Sequence, residues 1–183
     1  MPAHLNDGEL ATLAAAMDLL VPRSGELGGA DYVDQLLGAF TFDPPRIWAG
    51  GPFSGRRGGE GGFDRWIELG TAEGLSWRTR IEGSRGIAER EFNGPVTGLQ
   101  ERYRDGIASL GDDFASIAAD EQQRRLDGCD EAFRDLLFAH ACESLYGDPI
   151  YGGNRNGEGW ASIGFAGDTQ PRGWTDDEVT HGG

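Results

Sequence analysis

The sequence predicts an all-α fold, an irregular bundle of about five to seven helices joined by long loops rich in Gly and aromatic residues. Three observations carry this expectation. Apolar residues recur at helical spacing in several segments bounded by capping residues. Nowhere do they alternate long enough to require a sheet. Glycine supplies 31 of the 183 residues, so much of the chain must be turn or irregular structure.

The first helix is read from "NDGELATLAAAMDLLVP". Asn6 is its cap, Glu9 completes a capping box, Leu10, Leu13, Ala14, Met17 and Leu20 form one stripe, and Pro22 stops it. A short second helix follows in "ADYVDQLLGAF", with Tyr32, Val33, Leu36, Leu37 and Phe40 inward. The Gly- and Pro-rich stretch 43–62 cannot be regular, and Trp48 and Phe53 are expected to pin it, with a looser tip at Arg56–Arg57. "FDRWIELGTAEGLSWRTRIEG" reads as two short helices broken near Gly70 or Gly74, with a strand in "LSWRTRIEG" as the alternative. After a loop, "PVTGLQERYRDGIASL" opens on Pro95 and repeats Val96, Leu99, Tyr103, Ile107 and Leu110 at helical spacing. A turn and a polar helix ending near Gly128 come next. "DEAFRDLLFAHACESLYG", capped by Asp130 and stopped by Gly147, is the most apolar helix and is expected to cross the core. We expect one domain over 1–183, with long ordered loops at 41–62 and 84–94 and an extended tail at 168–183.

Formal charge is −15, from 31 acidic and 16 basic residues, and every base is Arg. So acidic a chain is unsuited to nucleic acid, whose recognition needs clustered cations, and to anionic membrane surfaces. No run reaches the length of a membrane span. The N-terminal stretch has no basic n-region or twin-arginine pair, which predicts a cytoplasmic protein, exported only if a partner carries it. Cys129 and Cys142, in helix-like sequence, stand too far apart to bond each other; they are read as small buried thiols or, alternatively, as a link to a partner chain.

Catalytic groups are sparse. There is no GxSxG elbow, and two of the three histidines, His4 and His181, lie in terminal segments. His140 and Glu143 stand one helical turn apart, but one internal His cannot furnish a carboxylate-bridged two-metal bundle. They are read as a buried structural pair satisfying loop backbone or an arginine. "GGNRNGEG" lacks the preceding strand and the spacing of a dinucleotide fingerprint, and no Lys follows it. Aromatic residues in irregular segments, namely Trp48, Phe53, Trp77, Tyr146, Tyr151, Trp160 and Trp174, instead suggest either rings pinning loops or a binding surface. We expect no catalytic, cofactor or metal residues in the chain.

The run "RDLLFAHACESLYGDPIYGGNRNGEGWASIGF" resembles the C-terminal signature of the gluconate 2-dehydrogenase subunit 3 family. The resemblance rests on His140, Glu143, Tyr146, Gly147, Asp148, Pro149, Tyr151, Gly152, Gly153, Asn154, Gly159, Trp160, Ile163, Gly164 and Phe165. "LAAAMDLLVP" and "YRDGIASLGDDFASIAADEQQRRLD" are similar to the family's first and middle helices, so 5–40 and 95–167 are covered and 41–94 is less typical. The resemblance implies a small subunit without a cofactor of its own. It implies a large partner carrying FAD, a glucose-methanol-choline-type dehydrogenase of sugars, sugar acids or glycosides, in a heterodimer or higher assembly. Some relatives carry a twin-arginine export signal, and "MPAHLNDGEL" does not resemble one. The expected role is to bind and stabilise the flavoprotein, extending to its maturation, with any electron-acceptor protein reached through the partner. Tyr146, Asp148, Pro149, Tyr151, Gly152, Gly153, Asn154, Arg155 and Trp160 are the expected signature loop or partner interface. The alternative is a small enzyme or ligand-binding domain around His140, Glu143, Asp148 and Arg155, with His140 as a base.

Overall fold

The computed structural model describes residues 3–50 and 65–165, an all-α architecture with seven α-helices among the described residues. Phe53, Arg56–Arg57, Phe63, Trp174 and the tail 168–183 lie outside them.

Helix α1 (Asp7–Leu20) has the capping box foreseen. The Asn6 side chain accepts from the Glu9 amide, and Glu9 accepts from the Asn6 amide at 2.8 Å. Its buried face is Thr12, Leu13, Ala16 and Met17, one residue round from the expected stripe, with Leu10 and Ala14 half-buried. Helix α2 (Gly29–Leu37) packs on α1 through Val33 and Leu37. Buried Asp34 accepts the amides of Ala3, His4 and Leu5 at 2.5, 2.8 and 2.7 Å, which anchors the chain before α1.

A two-residue antiparallel ladder, β1 (Ala49–Gly50) with β2 (Arg65–Trp66), precedes α3 (Thr71–Glu82). This corrects the reading of 63–82. The described residues 65–70 form no helix, and Gly74 sits inside one continuous helix, which also replaces the alternative strand. A second correction concerns α4 (Leu99–Leu110). Pro95 and Val96 lie outside it, because Val96 is tied to Ser84, donating to its hydroxyl at 3.0 Å and accepting its amide at 3.0 Å. The 84–94 segment is organised by Glu91, which accepts from the Ser84 hydroxyl and the Gly86 amide, and by the Arg90–Glu82 ion pair at 2.9 Å.

Helix α5 (Ala119–Asp127) ends at Gly128 as expected. Helix α6 (Glu131–Tyr146) is capped by Asp130, which accepts from the Phe133 amide at 2.9 Å, and stops at Gly147. It contacts α1, α2 and α4, and Phe133, Leu137, Ala141 and Leu145 join Leu13, Met17, Val33, Tyr103 and Leu110 in one core. Cys129 precedes α6 and Cys142 lies within it. Both are free and half-buried rather than buried. A short last helix, α7 (Glu158–Ser162), was not foreseen. No described helix is long and apolar enough to cross a membrane.

Candidate functional site

The end of α6 and the run that follows it bring the expected residues together. A helix leaves its last carbonyls without intrahelical donors, and here the returning chain supplies them. The Gly147 amide donates to the Glu143 carbonyl at 2.8 Å. The Trp160 indole donates to the Tyr146 carbonyl at 2.6 Å, and the Asn154 side chain donates to the Gly147 carbonyl at 2.9 Å. Asn154 also accepts the Gly159 amide at 2.8 Å, so one fully buried side chain closes the loop on itself. The approach is close enough to require glycine at two points. A Cβ on Gly153 would stand 2.3 Å from the Ser144 carbonyl oxygen, and one on Gly159 would stand 1.9 Å from that of Leu145.

The rest of the run reaches sideways. Asp148 accepts the Ile150 amide at 3.0 Å and starts a tight turn at Pro149. Gly152 follows that turn with φ 101°, a left-handed conformation. The Tyr151 hydroxyl accepts the Ala49 amide at 3.1 Å, and its ring meets Trp66 edge to face. Arg155 pairs with Asp31 and donates to the Glu26 carbonyl at 3.2 Å, fastening the run to the entry of α2. Gly153, Asn154 and Trp160 are therefore buried within the chain, while Tyr146 and Arg155 remain exposed and Asp148 and Tyr151 line a cavity.

His140 and Glu143 are each satisfied by a tyrosine, not by loop backbone or an arginine, and of the two only His140 is buried. The Tyr103 hydroxyl and His140 Nδ1 share a hydrogen bond of 2.7 Å, and their rings stack with centroids 5.7 Å apart. His140 Nε2 lies 4.0 Å from Glu143, which accepts the Tyr32 hydroxyl at 2.8 Å. The carboxylate favours a proton on Nε2, leaving Nδ1 to accept from Tyr103. Burial holds the His140 pKa below its ordinary value; Glu143 opposes that shift, and Arg80 and Arg102 add to it. Burial likewise raises Tyr103 and, together with its bond to Glu143, Tyr32. The imidazole is thus neutral at pH 7, and only 2% of its side chain is exposed against 53% for Glu143.

Glu143 faces a cavity of about 470 Å³ whose mostly apolar wall includes five rings: Tyr32, Trp48, Trp77, Tyr146 and Tyr151. Sequence reasoning missed Tyr32 and Tyr103 as partners of the pair, since each reads as an ordinary core position of its helix. Burial, chiefly, raises both cysteine thiols above their ordinary pKa, which makes them poor nucleophiles. Among the described residues no three His, Cys, Asp or Glu side chains gather to hold a metal ion.

Comparison with known families adds the deciding observation: the family described as Gluconate 2-dehydrogenase subunit 3 matches residues 7–167. The chain belongs to that family. No curated protein and no solved structure showed a match. As a subunit-3 protein it is a small subunit of an oxidoreductase complex, partnered with a larger dehydrogenase subunit. The signature region now has a physical account: its Asn, Gly and Trp positions close the C-terminus of α6.

Proposed function

We propose that this chain is the non-catalytic subunit that binds and stabilises an FAD-dependent dehydrogenase of the glucose-methanol-choline type, acting on sugars, sugar acids or glycosides. The family match over residues 7–167 carries the reading. FAD belongs to the partner. The Gly-rich run is occupied with the end of α6, so it offers no phosphate cradle, and the cavity of about 470 Å³ is at the smaller end of ligand pockets. His140, buried and bonded to Tyr103, is poorly placed to act as a base, which disfavours a small enzyme centred on it. Half-exposed Trp48, Tyr146, Ile163 and Phe165, with Phe92 at 90% exposure, provide apolar surface for a partner. Assistance in maturation means holding the large subunit in a form that accepts flavin. We place the complex in the cytoplasm, in keeping with two free thiols.

Co-expression with the adjacent dehydrogenase gene tests this. The two chains should co-purify as a heteromer burying more than the ~1,600 Å² of a standard interface, and flavin content of the large subunit should fall when this chain is omitted. Two independently stable proteins, with the large one fully active alone, would overturn it.

A further inference from the structure

The aromatic cavity beside Glu143 has a chemistry that subunit pairing does not explain. Trp48 and Trp77 meet edge to face, 5.6 Å between centroids at 83°, so their indoles form a corner. Tyr32 and Tyr151 complete the wall, each held by its hydroxyl: Tyr32 donates to Glu143 at 2.8 Å and Tyr151 accepts the Ala49 amide at 3.1 Å. Two carboxylates, Glu143 and Asp148, border the cavity, and the bonded neighbours of Glu143 are neutral. Tyr32 is an uncharged phenol, and His140, 4.0 Å away, is kept neutral by burial. No arginine forms an ion pair with Glu143 among the described residues. Two arginines stand near: Arg46 borders the cavity with its guanidinium 3.7 Å over the Phe42 ring and 3.5 Å from Gln35, and Arg80 lies 5.0 Å from the centroid of the Trp77 ring, so that indole already holds a cation from outside the lining.

We propose that this cavity binds an organic cation, an ammonium or guanidinium group seated between the indole corner and the Glu143 carboxylate. Ring faces attract cations through their quadrupole, and desolvation strengthens that attraction. The −15 charge of the chain raises the local concentration of cations and repels anions. The wall is mostly apolar, which suits a group that carries charge on a hydrocarbon body better than a polyol. The same chemistry serves a free small molecule or a basic side chain of the dehydrogenase.

The test is titration of the full chain with tetramethylammonium, methylguanidinium and the neutral isostere tert-butanol, following the indole N–H signals by NMR. Trp48→Phe and Trp77→Phe assign the two signals. Both cations should shift them saturably, and tert-butanol should bind at least about tenfold more weakly. Glu143→Gln keeps an acceptor for Tyr32 and should weaken the cations about tenfold without weakening tert-butanol. Trp48→Ala, at a residue 44% exposed, should weaken them while the melting temperature holds. Equal binding of tert-butanol, an unaffected Glu143→Gln variant, or cation shifts absent from Trp48 and Trp77 would overturn the assignment. Repeating the titration in the complex separates the sources. Binding lost there, with tetramethylammonium promoting dissociation, assigns a partner side chain; binding retained assigns a free cation. If no complex forms and the cations still bind, the subunit reading falls and the cavity assignment stands.

Discussion

The run 146–165 has two sides that use similar residue types to opposite ends. On the inner side, Asn154, Gly159 and Trp160 are buried: the Trp160 indole donates to the Tyr146 carbonyl at the end of α6, Asn154 donates to the Gly147 carbonyl just beyond it, and the Gly159 amide donates to Asn154. On the outer side, Tyr146 stays 41% exposed and joins Trp48, 44% exposed, around the cavity. Glycine, asparagine and rings at high density thus signal neither slack nor a ligand cradle. The difference lies in which polar groups are left over: the inner side consumes them in helix closure, and the outer side offers ring surface beside the carboxylates of Glu143 and Asp148.

Substitutions that break the inner side should be the most damaging. Gly159→Ala drives a methyl into the Leu145 carbonyl and should cost at least about 3 kcal/mol by chemical denaturation. Asn154→Ala strands the Gly147 carbonyl and the Gly159 amide and should cost about 2–4 kcal/mol in the same assay. Tyr103→Phe removes one bond from His140 and should cost about 1–2 kcal/mol. On the outer side, Tyr146→Ala keeps the backbone carbonyl that Trp160 needs. Its stability should change by under about 1 kcal/mol, while affinity for the dehydrogenase should drop in a pull-down.

The pH dependence sharpens the contrast further. The folded state resists protonation of His140, which the unfolded chain accepts near the ordinary value of 6.5. This contribution is therefore complete above pH 6.5 and is lost as pH falls through that value toward the lower folded pKa, by up to about 1.4 kcal/mol per unit. Tyr103, Tyr32, Glu143, Arg80 and Arg102 are the groups that act on it. Denaturation midpoints between pH 7 and 5 should decline less steeply in His140→Gln than in the native chain.

Features set by neighbours in sequence were legible before the fold was known. The Asn6–Glu9 box, the Asp130 cap and the Gly147 stop each involve contacts within a turn, and α1 and α6 begin and end where those residues direct. The start of α4 was misread because Pro95 satisfies a local helix rule, while the decisive bonds of Val96 go to Ser84, twelve residues away. Gly74 reads as a breaker, yet α3 continues through it while Trp77 and Ile81 pack inward. The Tyr103–His140 and Tyr32–Glu143 bonds span 37 and 111 residues, beyond any periodicity. The signature residues were legible as a group, but helix closure as their shared task emerged only from the geometry.

Whether this chain serves a dehydrogenase as a subunit is decided by mass spectrometry of the intact co-expressed complex. A heteromer containing this chain is expected, with FAD bound to the large subunit and flavin content falling when the small chain is omitted. Separate masses for the two proteins, with the large one fully loaded and active in the absence of this chain, would contradict it.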